Sequence, residues 1–327
     1  MLWRLRGATM STIHSFQIVN HEHVIKRVNE LQYRSDEIKS KISYALKHLW
    51  NSERKLGAIE NISIFDELKK RFPNFKEAIE FFEGNAIALK QLDMPYEANP
   101  VLLIGDPSIG KTLFVSELAK LMGLPFFEIS MNTLSASFAL TGGNLQWGDA
   151  SVGFIAKSLS ESSIGNPIIM IDEIDKGNGN SVFNPMNSLY GLLEAHSAKR
   201  FIDEALEVAI DASKIIWVLA GNYIENIPEA ILSRMRVINI NPPTKSDMPD
   251  VIKSIYSNIR ANKVFGKVIN PELDAEVVNS LTDLSPRQIR MILEAAVLKA
   301  IMDQRSIIQT SDLKYEKKGK RHAIGFF

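Results

Sequence analysis

The sequence predicts a doubly wound parallel α/β domain, preceded by a helical segment and followed by a smaller all-helical domain. Three observations carry this expectation. Five short apolar runs between residues 101 and 240 alternate with helical stretches, a glycine loop directly follows the first run, and beyond Pro242-Pro243 the pattern turns wholly helical. Short buried runs alternating with helices imply a parallel sheet covered on both faces.

The 327 residues are 45% hydrophobic and 23% charged, an ordinary globular composition with apolar material enough for two domains. Lys plus Arg and Asp plus Glu both number 38, so the net charge is zero. That balance gives no electrostatic argument for a nucleic-acid or anionic-lipid partner. Cysteine is absent, which excludes disulfides and thiolate chemistry, fits a reducing compartment and leads us to expect a cytoplasmic location. No apolar run approaches the roughly 18–20 residues of a membrane span. The opening MLWRLRGATM lacks an apolar h-region and does not read as a signal peptide; Met10 is as good a start as Met1.

Residues 21–60 read as helix, with Val24, Val28, Leu31, Ile38, Ile42, Leu46 and Leu49 at helical spacing. Such a stripe either packs on the main domain or serves as a partner-binding hairpin. A short helix near Phe65–Arg71 stops before Pro73, and Asn74 suits an N-cap for a helix over 75–91. The five expected strands are VLLIG (101–105), PFFEIS (125–130), PIIMID (167–172), KIIWVLAGN (214–222) and VINI (237–240). Helices are then expected over 246–262, 272–283 and 286–303, with a short one near 311–315. The resulting boundaries are 1–62 for the helical segment, 63–243 for the α/β domain, 244–314 for the helical domain and 315–327 for a basic tail.

Residues Gly105-Asp106-Pro107-Ser108-Ile109-Gly110-Lys111-Thr112 fit G-x-x-x-x-G-K-[ST] completely. Glycines let the backbone wrap close to a phosphate, so that N–H groups and the following helix's N-terminus face its oxygens. In that chemistry Lys111 reaches the β and γ phosphates, and the Thr112 hydroxyl takes a place on Mg²⁺. PIIMIDEIDK ends an apolar strand in Asp172 and Glu173, about 60 residues further on. At the carboxyl end of a parallel strand, Asp172 can hold Mg²⁺ and Glu173 can deprotonate an attacking water. Asp175 and Lys176 read equally as a solvated loop pair or as a functional contact. Asn222, ending KIIWVLAGN, can bond a γ-phosphate and a water, although an Asn after a strand is also a common turn residue. Arg234 and Arg236 lie in IPEAILSRMRVINI, where an arginine either neutralises a neighbouring subunit's transition state or is a plain surface residue. Trp147 stands alone in the glycine-rich stretch LTGGNLQWGD. It either folds back onto the protein or is presented on a mobile loop.

Taken in this order, these pieces resemble the AAA+ superfamily, and within it the ATPase module of Lon proteases, over about residues 70–305. GDPSIGKT looks like Walker A, IIMIDEIDK like Walker B and WVLAGN like the sensor 1 strand, which places Asn222 at the sensor. IPEAILSRMRVI is similar to the Lon segment bearing the arginine finger, at Arg234. SPRQIR (285–290) resembles sensor 2, so Arg287 would reach the nucleotide of its own subunit, although Ser285 stands where the family usually has glycine. LEAHSAKRFIDE (193–204) with IDAS (210–213) resembles the hairpin region before sensor 1. WGDASVG (147–153) falls on the first pore loop, with Trp147 in the place of its aromatic residue. No Ser-Lys protease segment is expected, and about 60 helical residues stand where Lon has its substrate domain. The resemblance is thus to a stand-alone bacterial Lon-type AAA ATPase. It implies ATP and Mg²⁺ as cofactors, a homo-oligomeric ring, a hexamer, and a protein client, with neither membrane nor nucleic acid as partner. The implied activity is ATP-driven protein remodelling without proteolysis. The alternatives are a nucleotide-switched loader or scaffold and, behind it, a DNA-directed motor.

Overall fold

A computed structural model describes residues 14–50, 53–134, 137–145, 151–177 and 184–314. The chain divides into two units. The first takes in the described residues of Met1–Lys69, Phe75–Asp106 and Lys111–Ile240, and the second those of Lys70–Asn74, Pro107–Gly110 and Asn241–Phe327.

The first unit opens with β1 (Ser15–Gln17), then α1 (His21–Leu31), α2 (Asp36–Trp50) and β2 (Glu53–Lys55), which pairs antiparallel with β1. The Asn20 side chain caps α1 by accepting from the Glu22 N–H at 2.9 Å. Val24, Leu31, Ile42, Leu46 and Leu49 are buried in the same apolar cluster as sheet residues Ile169 and Leu219. The stripe read from the sequence therefore packs on the main domain, except for Val28, which is exposed because it lies off the buried face of α1. The expected helix over 21–60 is two helices and a strand, because Arg54 is drawn inward to donate to the backbone carbonyls of Ser162 and His48.

Next come α3 (Ile64–Arg71), a 3-10 turn at Pro73–Phe75, and α4 (Lys76–Gln91). Asn74 does not cap α4. It lies inside the 3-10 turn and its amide donates to the Asn241 carbonyl at 3.1 Å, leaving Phe75 at the cap without a side-chain bond.

The central sheet is built from the five apolar runs, with two small strands inserted. In chain order, β3 (Val101–Ile104) leads into α5 (Lys111–Met122) and β4 (Phe126–Ser130). Then come α6 (Phe138–Thr141), α7 (Phe154–Glu161) and β5 (Ile168–Asp172). After α8 (Met186–Leu192) and α9 (Ala195–Ala198), the strands β6 (Phe201–Ile202) and β7 (Ala209–Ile210) form a small hairpin. Finally β8 (Ile216–Gly221), α10 (Glu229–Leu232) and β9 (Arg236–Asn239) complete the unit. The five-stranded sheet has the order β4-β5-β8-β3-β9, and every pairing is parallel. All of β3 and β8 and most of β5 are buried, as strands covered on both faces must be. This order sets the carboxyl ends of β3, β8, β5 and β4 side by side, and open α/β sheets bind ligands beyond such ends.

The second unit is helical: α11 (Met248–Asn262), α12 (Ala275–Leu281) and α13 (Pro286–Met302), with 3-10 turns at Val264–Val268 and Thr310–Asp312. Ile252, Ile259, Leu281, Ile289, Leu293 and Val297 form its own apolar core. Ser285 begins α13 with a reciprocal capping box to Gln288. The serine that departs from the glycine pattern therefore has a local structural use.

Candidate functional site

The loop after β3 turns through two left-handed residues, Ser108 at φ 68° and Gly110 at φ 103°. Gly110 takes that conformation freely; Ser108 does so against its Cβ. Lys111 then opens α5, only 7% exposed, and its ammonium meets three oxygens. These are the carbonyls of Gly105 at 2.7 Å and Asp106 at 3.0 Å, and the Asn222 Oδ1 at 2.9 Å. Burial lowers the Lys111 pKa, opposed by the carboxylates of Asp172, Asp175 and Asp106. Three donors facing three neutral acceptors satisfy this cation's hydrogen bonds, and the three carboxylates act on it only from further away.

The next residue, Thr112, donates its hydroxyl to Asp172 Oδ2 at 2.6 Å, joining α5 to the end of β5. Asp172 Oδ1 accepts the Glu173 N–H at 2.7 Å. Glu173 is itself left-handed, at φ 54°, a conformation that costs a non-glycine residue on the order of 1–3 kcal/mol and concentrates at functional sites. Its Oε2 accepts from the Ser130 hydroxyl at 2.9 Å. Ser130 ends β4, in register with Asp172.

Asp175 is buried rather than part of a solvated loop. Its Oδ1 accepts the backbone N–H of Asn222 at 3.1 Å, while Lys176 lies 3.6 Å from its other oxygen. Asn222 is thus held twice, through its backbone by Asp175 and through its side chain by Lys111.

The sheet therefore brings Lys111, Thr112, Asp172, Glu173 and Asn222 together. It does not bring Arg234 to them. Arg236 pairs in register with Val101, at the opposite end of β3 from the phosphate loop. Arg234, two residues earlier, pairs with Glu194 at 2.7 Å and lies over the Tyr190 ring at 5.8 Å, with its buried Nε lacking a hydrogen-bond partner. Arg236 pairs with Glu77 at 3.5 Å and covers Phe81. Arg287 is exposed in the first turn of α13, within the helical unit. Trp147 lies outside the described residues. Ser130 and the Asp175 bond were not read from the sequence. The signal was the strand ends themselves, since PFFEIS and PIIMID finish on polar residues that a parallel sheet sets side by side.

The Thr112 hydroxyl and Asp172 carboxylate form a donor set of hard oxygens only, which fits Mg²⁺ sharing its other places with water and phosphate. No group of three or more acidic or histidine side chains suited to a metal occurs among the described residues.

The fold and site define a P-loop nucleotide-binding protein of the parallel α/β kind. Residues 101–242 match the model of the family described as "ATPase family associated with various cellular activities (AAA)". Lon protease 2 of Borreliella burgdorferi is 26% identical over 301 residues, 83% of this chain and 36% of that protein. Lon protease of Chlamydia muridarum is 30% identical over 228 residues, 67% of this chain and 28% of that protein. The chain spans about a third or less of the length of these relatives. Among solved structures, a Thermotoga maritima RuvB mutant matches with a TM-score of 0.51 at 17% identity, covering 73% of this chain and 67% of that one. That likeness is one of fold. The chain carries an AAA+ ATPase domain, related distantly to the ATPase modules of Lon proteases, and such a domain implies ATP binding.

Proposed function

We propose that this protein is an ATP-dependent protein remodeller, a Mg²⁺-dependent ATPase of the Lon type that works as a homo-hexameric ring. We take 63–243 as its nucleotide-binding domain and 244–314 as its lid. The observation that carries the ATPase reading is the convergence of Lys111 with Asn222 and of Thr112 with Asp172 at adjacent strand ends. Residues 105–112 wrap the phosphates, and Lys111 turns its ammonium from the carbonyls to the β and γ oxygens. Thr112 and Asp172 hold Mg²⁺, which when bound supplies neutralisation of phosphate charge. Asn222 orients the attacking water and Glu173 accepts its proton as the bond to the leaving phosphate oxygen breaks. Arg234 acts on the site of the next subunit, and Arg287 on the nucleotide of its own.

The distant relation to Lon's ATPase module supports a protein client, gripped by Trp147. The test is ATPase stimulation by unfolded casein against double-stranded DNA, in the parent and in Trp147→Ala. Stimulation by casein that disappears in Trp147→Ala, with basal hydrolysis and ring assembly intact, is the expected outcome. Remodelling that survives Trp147→Ala favours the nucleotide-switched loader instead, and stimulation by DNA alone favours a DNA-directed motor.

A further inference from the structure

The hairpin β6–β7 carries a buried carboxylate that the nucleotide chemistry leaves unused. Asp203 is 0% exposed. Its Oδ1 accepts the N–H groups of Ala205 at 3.0 Å and Leu206 at 3.1 Å, which shapes the hairpin turn. Its Oδ2 accepts the N–H of Gly153 at 2.8 Å, across 50 residues of sequence. Gly153 is the N-cap of α7, so the carboxylate faces the positive end of that helix.

The other end of the same segment meets the same group. Gly142 passes Asp203 at φ 83°, and a Cβ placed on it would fall 2.4 Å from Oδ1. A Cβ on Gly153 would fall 2.2 Å from the Gly142 nitrogen. Both positions therefore exclude any side chain. The closure is completed by Gly143 N–H to the Ser151 carbonyl at 3.1 Å and by Glu204 N–H to the Thr141 carbonyl at 2.9 Å. The hairpin is anchored in turn from α1. Arg27, 4% exposed, pairs with Glu207 at 2.8 Å and donates to the Ala205 carbonyl at 3.3 Å, and Val19 bridges to Ile210.

We propose that Asp203 is a positioning residue for the described residues 142–145 and 151–153: it ties these two stretches to the hairpin, and α1 completes the brace through Arg27. The consequence for a client rests on the reading above, in which Trp147, between them in sequence, grips polypeptide. On that reading, a pull delivered to residues 142–145 and 151–153 passes through Asp203 into β6–β7 and, through Arg27, into α1.

The test is hydrogen exchange by mass spectrometry on the full chain, with ATPase kinetics, for the parent, Asp203→Asn and Arg27→Met. The Asn carbonyl keeps the bonds to Ala205 and Leu206 but sets an amide N–H₂ against the Gly153 N–H. Amides of residues 142–145 and 151–153 should exchange about tenfold faster in Asp203→Asn. Peptides of β3, β5 and β8 should keep their protection, and the KM and kcat for ATP should stay within about twofold, since one hydrogen bond outside the nucleotide site is lost. Stimulation by unfolded casein should fall. Arg27→Met should give the same pattern more weakly. Unchanged exchange at residues 142–145 and 151–153 in Asp203→Asn overturns the proposal. So does a rise spread equally over the sheet in both variants, since Asp203 would then serve the whole fold. If casein fails to stimulate the parent, the client reading fails, while the exchange data still decide the brace.

Discussion

The Ser130 hydroxyl and the Glu173 carboxylate are joined by a 2.9 Å hydrogen bond across neighbouring strand ends. A carboxylate held in this way is not free to turn toward a water. Ser130→Ala should raise the single-turnover rate of ATP hydrolysis by up to about tenfold, the scale of one hydrogen bond to a charged group. ATP affinity should not change. Glu173→Gln should also retain affinity, yet hydrolyse at least ~10²-fold more slowly. A Ser130→Ala rate below the parent's would show that the bond assists the carboxylate instead of restraining it.

Lys111 and Asn222 should separate binding from turnover. Lys111→Ala removes the only ammonium within reach of the loop's carbonyls among the described contacts, and titration calorimetry should show ATP bound about 10²-fold more weakly. Asn222→Ala should bind ATP nearly as the parent does and lose about 10²-fold in kcat, as removal of one placed polar group does elsewhere. Equal losses of affinity in both variants would merge the two roles.

Arg234→Ala should leave ATP binding nearly intact and reduce hydrolysis ~10³-fold or more. Its partner Glu194 is half exposed, so loss of the pair should change stability by no more than about 1 kcal/mol. Mixing supplies the decisive measurement. Glu173→Gln and Arg234→Ala subunits, each inactive alone, should regain part of the activity together. Parental activity in Arg234→Ala alone would pass the role to Arg236.

Burial raises the Asp203 pKa to about 6, against the pull of three backbone N–H bonds and with Glu204 adding in the same direction as burial. The folded state then binds a proton that the unfolded chain releases. The stability from this group is complete below the unfolded value near 4 and is lost as pH rises through about 6. Between pH 7 and pH 5 the parent should gain about 1 kcal/mol relative to Asp203→Asn, measured by urea unfolding. Equal pH dependence in the two proteins would place an ordinary carboxyl at this position.

The sheet and the phosphate loop were legible because each has a local signature. VLLIG and GDPSIGKT show their strand, turn and helix start in consecutive residues, and all five apolar runs form the strands expected of them. What escaped depends on pairing between distant segments. Ser130 gains meaning only when β4 lies beside β5, and Asp203 only when Gly142 and Gly153 converge on it. The end of the first helical stretch was misjudged because Arg54 sits in a strand fixed by partners at His14–Gln17 and Ser162, which no local periodicity records. Asn74 failed as a cap for the same reason, its amide being engaged by Asn241.

The bridge from Val19 to Ile210 has a further consequence for how the chain is made. On a ribosome, Val19 emerges roughly 190 residues before its partner, a wait on the order of 10–40 s at common rates of synthesis. During that interval α1 and α2 can pack against each other, and α2 against α7 once that helix is made, but the bridge to β7 is still missing. The α1–α2 pair is therefore synthesised long before the hairpin that anchors it. A stalled or truncated message that stops short of the hairpin leaves Val19 and Arg27 without their partners Ile210, Glu207 and Ala205.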